Sequence, residues 1–176
     1  MGTTPTYAFR YPELGDPADL RAIAKNLADD VETQIARLDA VSRRILLRQS
    51  AGQNIPNNAE TQLTWNTIET NNGFDVTPGA SGVPAPETGL YLVSCTVRWT
   101  GAATGYRRIA LYLNSTLYSD QAASSIGTVA HPLSVSMLVP ATAGQVIDVR
   151  ATQTSGGSLS FAATSRTPNL IVARIG

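Results

Sequence analysis

Side chains that could perform acid–base or nucleophilic chemistry are few and widely spaced in this chain of 176 residues. His131 is the one histidine and Cys95 the one cysteine, so no disulfide and no cysteine-cluster metal site can form within one chain. A triad of His131 with Asp120 or Asp148 would also need a serine aimed at the imidazole, and no spacing provides one. Nucleophile-elbow, phosphate-loop and zinc-helix motifs are absent. We therefore predict a protein that is not an enzyme and uses no cofactor and no metal ion.

The carboxylates of the later part of the chain show no paired spacing. A glycosidase needs two carboxylates flanking one bond, and calcium needs clustered oxygen ligands. We interpret these acids as isolated surface residues, because such side chains are mostly exposed. They are Glu60, Glu69, Asp75, Glu87, Asp120 and Asp148. Cys95 lies among alternating apolar residues, which indicates a buried, unreactive thiol. The sequence assigns no residue to ligand binding.

The overall charge excludes several classes of partner. Lysine plus arginine and aspartate plus glutamate number 13 each, so the formal net charge is zero and no global field attracts nucleic acid or anionic membrane. Arg107 and Arg108 alternate along an expected strand and therefore point to opposite faces, which is poor support for a nucleic-acid site. No secretory leader and no run of about 18 apolar residues is present. We expect no nucleic-acid partner and no membrane span.

Residues 16–45 have the pattern of one long helix, which we expect to carry the β-structure that follows it. Asp16 can cap the first turn, Pro17 suits the first helical position, and Asp19 adds favourable negative charge there. Asp39 and Arg43 have the spacing of an intrahelical ion pair. Inward positions alternate at three- and four-residue steps, the spacing of a coiled-coil seam. We predict that the seam consists of Leu20, Ala24, Leu27, Val31, Gln34, Leu38, Val41 and Ile45.

Two interpretations of that helix remain open at the level of sequence. Sustained heptads favour an intermolecular coiled coil, in which Gln34 would form a polar layer that sets the register. Ile23 and Ile35 flank the seam and widen the apolar stripe, as in a helix packed on its own domain. We expect the intermolecular coiled coil.

Residues 1–15 are unusually rich in aromatic side chains for so short a segment. A disordered tail is normally poor in aromatics, yet this one contains Tyr7, Phe9 and Tyr11. We interpret it as a docking segment that becomes ordered against a larger assembly. The alternative is a strap folded back on the protein's own helix.

Residues 46–176 have the pattern of an antiparallel β-domain. Short alternating runs recur about every ten residues and are separated by Gly, Pro and Asn turns, which is typical of a sandwich or barrel. The clearest strand, residues 90–99, places Tyr91, Val93, Cys95, Val97 and Trp99 on one face. Residues 155–158 (SGGS) indicate a tight hairpin. Residues 170–175 are largely apolar on both faces, which suits a central or interface strand.

Several of these segments resemble a known family. Residues 83–93 (VPAPETGLYLV) resemble the Gly-x-Tyr-x-hydrophobic stretch of C1q/TNF-like domains, and residues 169–173 (NLIVA) resemble their last strand. Residues 105–108, 113–116 and 155–158 resemble C1q-like domains of bacteriophage structural proteins. Residues 7–20 (YAFRYPELGDPADL) resemble the N-termini of minor tail and tail-fibre proteins from phages of actinobacteria.

The resemblance implies a mainly β fold, a C1q/TNF-like antiparallel jelly roll that forms a trimer and carries an N-terminal coiled-coil helix. It also implies a virion component without enzyme activity, a minor tail protein or fibre. The partners expected are two further copies of the chain, other phage structural proteins at the N-terminus, and a host-surface glycan. A capsid or neck decoration fibre, a bacterial C1q-like adhesion module and a capsule depolymerase are the alternatives. No Gly-X-Y tract is present, so the predicted coiled coil stands in place of a collagen stalk.

Overall fold

The computed structural model describes residues 2–3, 10–11, 20–41, 43–125, 127–161 and 168–175. It divides the chain into two compact units, Met1–Ser42 and Arg43–Gly176. We call the second unit the head. Each unit is described by itself below.

The first unit contains the helix that the sequence predicts. Strand β1 (Gly2–Thr3) pairs antiparallel with β2 (Arg10–Tyr11), and helix α1 covers Leu20–Val41. The predicted capping residues 16, 17 and 19 lie outside the described residues. Within the helix, the Lys25 ammonium contacts the Asp29 carboxylate at 2.8 Å one turn away. Within the described part of the chain, no helix is long and apolar enough to cross a bilayer.

The helix ends before residue 45, so the C-terminal boundary of the predicted 16–45 helix was wrong. Helix α1 ends at Val41, and Ile45 lies in strand β3 (Arg44–Arg48) with 1% of its surface exposed. Ile45 and Leu47 alternate into the head core, and the burial of both side chains outweighs continuation of the heptad. The predicted Asp39–Arg43 pair is not an intrahelical one, because Arg43 lies beyond the end of α1 and belongs to the head, where its guanidinium contacts Glu87 at 2.7 Å. The side chain of Asp39 lies outside the described ones.

The head is built almost entirely from antiparallel strands, as the sequence predicts. After β3, its strands in chain order are β4 (Asn54–Ile55), β5 (Thr61–Gln62), β6 (Thr67–Asn72), β7 (Gly82–Pro84), β8 (Gly89–Trp99), β9 (Tyr106–Leu113), β10 (Thr116–Ser124), β11 (His131–Ala141), β12 (Val146–Gln153), β13 (Leu159–Ser160) and β14 (Asn169–Arg174).

Two five-stranded sheets form the sandwich. The front sheet has the order β11-β8-β14-β3-β6. The back sheet has the order β10-β9-β12-β5, with β7 also paired to β12. Strand β14 is central, between β8 and β3, as the apolar run at residues 170–175 indicates. This two-sheet arrangement confirms the predicted jelly roll.

The core lies between the two sheets and confirms the predicted inward face of β8. Tyr91, Val93, Cys95, Val97 and Trp99 are each at most 1% exposed. Burial raises the pKa of the Cys95 thiol far above its usual range, as expected for an unreactive cysteine. Alternate residues of β9 and β12 complete the core from the back sheet, as their period of two requires.

Two predicted turns are present, but the strand after the second turn pairs differently from the prediction. Asn114 and Ser115 both have positive φ, as a two-residue hairpin between β9 and β10 requires. Residues 155–158 turn the chain as expected, but the strand that follows, β13, pairs with β4 rather than returning along β12. The Gln153 side chain explains this, because its amide donates to the carbonyls of Ile55 and Gly157 at 3.0 and 2.7 Å.

Candidate self-association surface

The outward side of the front sheet, which we call the front face, is ordered in rows across the strands. One row contains Leu138, Leu92 and Ala173, and the neighbouring row runs from Ser136 and Ser94 to Ile171 and Leu46. These rows are contiguous because the antiparallel register places the residues opposite one another. They lie at the end of the head where the chain enters through Arg44 of β3.

The apolar rows of the front face remain exposed in the single chain. Leu92, Leu138 and Ile171 are 41%, 47% and 40% exposed, and Ile175 beside them is 45% exposed. A groove of about 220 Å³ runs between Leu46, Thr70 and Ile171. The core lies on the other side of the sheet, so these side chains are only partly buried within their own chain. A contiguous apolar patch of this kind is typical of a protein–protein contact.

The same face becomes polar on the β8–β11 side of the second row and in the row beyond it. Ser94 and Ser136 share a hydrogen bond of 2.7 Å, and Thr96 and Ser134 share one of 2.9 Å. Each pair joins β8 to β11 across the non-core side of the sheet. Each pair uses one of its two O–H donors within the chain, so water or an approaching partner would have to accept the other.

The helix carries a second set of exposed apolar side chains. Of the predicted seam, Leu27, Val31 and Leu38 are 48%, 40% and 71% exposed. Ala24 is also exposed and Gln34 is half-buried, whereas the side chains of Leu20 and Val41 lie outside the described ones. Ile45 does not belong to this set, as shown above. The seam that the structure leaves open therefore runs along α1 alone.

The docking segment is described only in part. Tyr7 and Phe9 lie outside the described residues, and Tyr11 is described only by its backbone in β2. That strand pairs with β1, so residues of the segment pair with one another. Docking itself stays a prediction.

The outward side of the back sheet, which we call the back face, carries a charged network that the sequence did not predict. Glu60 lies at its centre and accepts from the Tyr112 hydroxyl at 2.6 Å, from Arg108 at 3.2 Å and from Arg150 at 3.4 Å. Arg150 also binds the Asp148 carboxylate at 2.8 Å and lies 4.1 Å from the centre of the Tyr112 ring.

Arg108 completes that network through Asp120, at 2.6 Å. The interpretation of Glu60, Asp120 and Asp148 as isolated acids was therefore wrong. Strand register brings them together, since Asp120 and Asp148 lie on β10 and β12, on either side of β9. The expectation that Arg107 and Arg108 point to opposite faces is confirmed, because Arg107 is buried and Arg108 lies on the back face.

The electrostatics of the back face follow from those contacts. Burial alone raises the pKa of Glu60, but hydrogen bonds from Tyr112 and Arg150 and the charges of Arg150 and Arg108 together lower it below its usual value. Burial and the hydrogen bond to Glu60 raise the pKa of Tyr112. Glu60 is thus held in its charged form at neutral pH, while Tyr112 keeps its proton. His131 lies on β11 in the front sheet, whereas Asp120 and Asp148 pair with arginines on the back face.

The architecture defines a class of fold, the TNF-like jelly roll. No family model matches the chain, and no curated protein matches it. Among solved structures, Eiger TNF from S. frugiperda is similar with a TM-score of 0.59 at 14% identity, covering 77% of this chain and 93% of that one. Murine APRIL is similar with a TM-score of 0.61 at 12% identity, covering 76% of this chain and 98% of that one. At these identities the likeness establishes the fold.

Proposed function

We propose that the protein is a homotrimeric structural component of a bacteriophage virion, in which three heads associate through their front faces. The observation that carries the trimer is the exposed apolar patch on the front face, which one whole row and part of the next row form. Leu92, Leu138 and Ile171 are each at least 40% exposed over a core that is already filled. TNF-like domains usually form homotrimers, which supports the same arrangement.

The helices extend this association in the proposal. Leu27, Val31 and Leu38 would form the seam of a parallel three-stranded coiled coil, with Gln34 as its polar layer. Helices in proteins gain most of their stability from packing of an apolar face, and that face of α1 is exposed in the single chain. Association of the heads brings three copies of α1 together at high effective concentration.

Sedimentation of the full-length chain tests the trimer. The expected mass is three times 18.6 kDa across micromolar concentrations. A chain that sediments at 18.6 kDa throughout that range would contradict the proposal.

The placement in a virion is supported by the resemblance of residues 7–20 and of the head segments to phage structural proteins. In the proposal the protein is a tail appendage, a minor tail protein or fibre. Residues 1–15 dock on other phage proteins, and the head projects outward to bind a host-surface glycan. Three linked heads would convert weak contacts into tight attachment.

Two experiments on particles test that placement. Antibody–gold labelling of intact virions should decorate the tail, while label on the capsid or neck would instead indicate a decoration fibre. Particles that lack the protein should adsorb poorly to host cells. Normal adsorption by such particles would refute the host-binding role without affecting the trimer.

A further inference from the structure

The two ends of the front face differ in the charges that they carry. The chain enters the head at Arg44, where β3 begins, and Arg98 lies at the opposite end, near the last residue of β8. Arg98 is exposed and points outward, because side chains alternate along a strand and its neighbours Val97 and Trp99 are buried in the core. Its register partner on the edge strand β11 is Pro132, which carries no charge.

Arg98 has no partner within its own chain. Its guanidinium makes no ion pair and no hydrogen bond with any described residue, whereas every other arginine of the described head except Arg44 makes at least one. An exposed guanidinium of this kind keeps a full positive charge and five N–H donors for a ligand.

The acids of the described head lie away from Arg98. Glu87 precedes β8 by two residues, at the Arg44 end, and binds Arg43 and Arg174 there. Asp75 lies near the same end, because it follows Phe74, whose ring packs against Tyr91 with 6.4 Å between the ring centres. The remaining acids are bound to other arginines, and they are Glu60, Glu69, Asp120 and Asp148. No carboxylate of the described head therefore neutralises Arg98.

The proposed trimer brings three copies of this charge together, and the inference below rests on that trimer. Three parallel chains that associate through their front faces have their helices at the Arg44 ends. The three Arg98 side chains then surround the threefold axis at the opposite, distal end of the heads. Like charges brought close together oppose association, because each guanidinium repels the other two. An anion on the axis would offset that repulsion.

We infer that the distal end of the threefold axis binds a phosphate monoester, carried by a sugar of the host-surface glycan. Three guanidiniums around an axis match the three terminal oxygens of such a group, whereas a carboxylate offers only two. Hydroxyls in the next row add donors, because the Thr96–Ser134 pair uses one of its two O–H groups within the chain and leaves the other. The heads thus recognise the charged substituent of the glycan with a site that no single chain contains.

Calorimetric titration of the full chain with glucose 6-phosphate tests the site. We expect one bound ligand per three chains, because the site lies on the threefold axis. Glucose and glucuronate should bind at least about 10-fold more weakly, since glucose has no charge and glucuronate has only two charged oxygens. Glucose 6-sulfate has the same shape with less negative charge and should bind more weakly than the phosphate. Tighter binding of the sulfate or of glucuronate would overturn the assignment to phosphate.

Two variants separate this site from the trimer itself. Arg98→Met should still sediment as a trimer, because the side chain is exposed, and should bind glucose 6-phosphate at least about 10-fold more weakly. Arg44→Met is the matched control, since Arg44 is an exposed arginine at the other end of the face, and it should keep the affinity.

The outcomes distinguish this inference from the proposed function. A trimer that does not bind glucose 6-phosphate, a stoichiometry of one ligand per chain, or unchanged affinity in Arg98→Met would overturn the site and leave the trimer intact. A chain that sediments as a monomer would overturn both.

Discussion

The two outward faces of the sandwich differ in what they expose to solvent. The back face pairs its charges on its own chain, with Glu60 joined to Arg108, Arg150 and Tyr112. The front face leaves Leu92, Leu138 and Ile171 exposed, although polar residues would be equally compatible with its strands. The back face is therefore complete in one chain, whereas the front face becomes favourable only when another surface covers it.

The two faces also differ in the free energy that their contacts can contribute. Ion pairs at a surface contribute about 0–1 kcal/mol each, so the back face adds little to the stability of folding. Burial of apolar surface contributes roughly 25 cal/mol per Å², so covering the exposed rows of three heads would contribute considerably more. In the proposed trimer, the front face therefore forms the contact between heads, and the back face stays in contact with solvent.

The largest effect is expected on the inner side of β14. Leu170 is fully buried, and Leu170→Ala should lower the free energy of unfolding by about 2–5 kcal/mol, because it leaves a cavity in the core. Denaturant titration followed by circular dichroism measures this. A loss below about 0.5 kcal/mol would show that the front sheet does not depend on β14 packing.

The adjacent residue on β14 should behave differently. Ile171→Asp places a charge on the exposed front face, and we expect a folded chain whose self-association is weakened at least about 100-fold, since three charges would be desolvated together. Sedimentation equilibrium measures the change. Leu117→Asp is the control, because Leu117 is 47% exposed on β10 in the back sheet, and it should leave association unchanged. Equal weakening by both variants would remove the distinction between the faces.

Breaking the back-face network should cost less and leave assembly intact. Arg150→Met removes the partner of Asp148, whose side chain is only 4% exposed, and should destabilise the head by about 1–3 kcal/mol. The double variant with Asp148→Asn should recover part of that loss. Calorimetry of the four chains gives the coupling energy directly, and a coupling near zero would mean that the pair is replaced by solvent.

The smallest effect is expected from the pH dependence of Glu60. Its folded pKa lies below its ordinary value of 4.5, so it contributes stability that is present above pH 4.5 and is lost as the pH falls through the folded pKa. Urea titrations of wild type and Glu60→Gln at pH 7 and in steps below 4.5 measure this. The stability difference between the two chains should shrink with falling pH. A constant difference would show that Glu60 is not held in its charged form.

The sequence predicted the strands of the head well where apolar residues occur at every second position. Tyr91, Val93, Cys95, Val97 and Trp99 reveal the core face of β8, because alternation on a strand needs no knowledge of its neighbours. The apolar run at residues 170–175 also indicated a central strand, since both of its faces had to be covered.

Features that depend on register were not predictable. Glu60 and Arg150 are 90 residues apart, and only the pairing of β12 with β5 and β9 brings them together. The end of the helix was misjudged for a related reason. Ile45 follows Val41 by four residues and continues the heptad, while the same Ile45 alternates with Leu47 into the head. Sequence alone does not decide which partner buries Ile45.

The position of β14 has a consequence for synthesis. Residues 169–174 occupy the gap between β8 and β3, two strands that are complete in the chain long before them. Until those residues leave the ribosome, β3 and β8 each present a bare edge, and the front sheet consists of two unjoined halves. Heads growing on neighbouring ribosomes would therefore be exposed to mispairing with one another until β14 pairs with both edges.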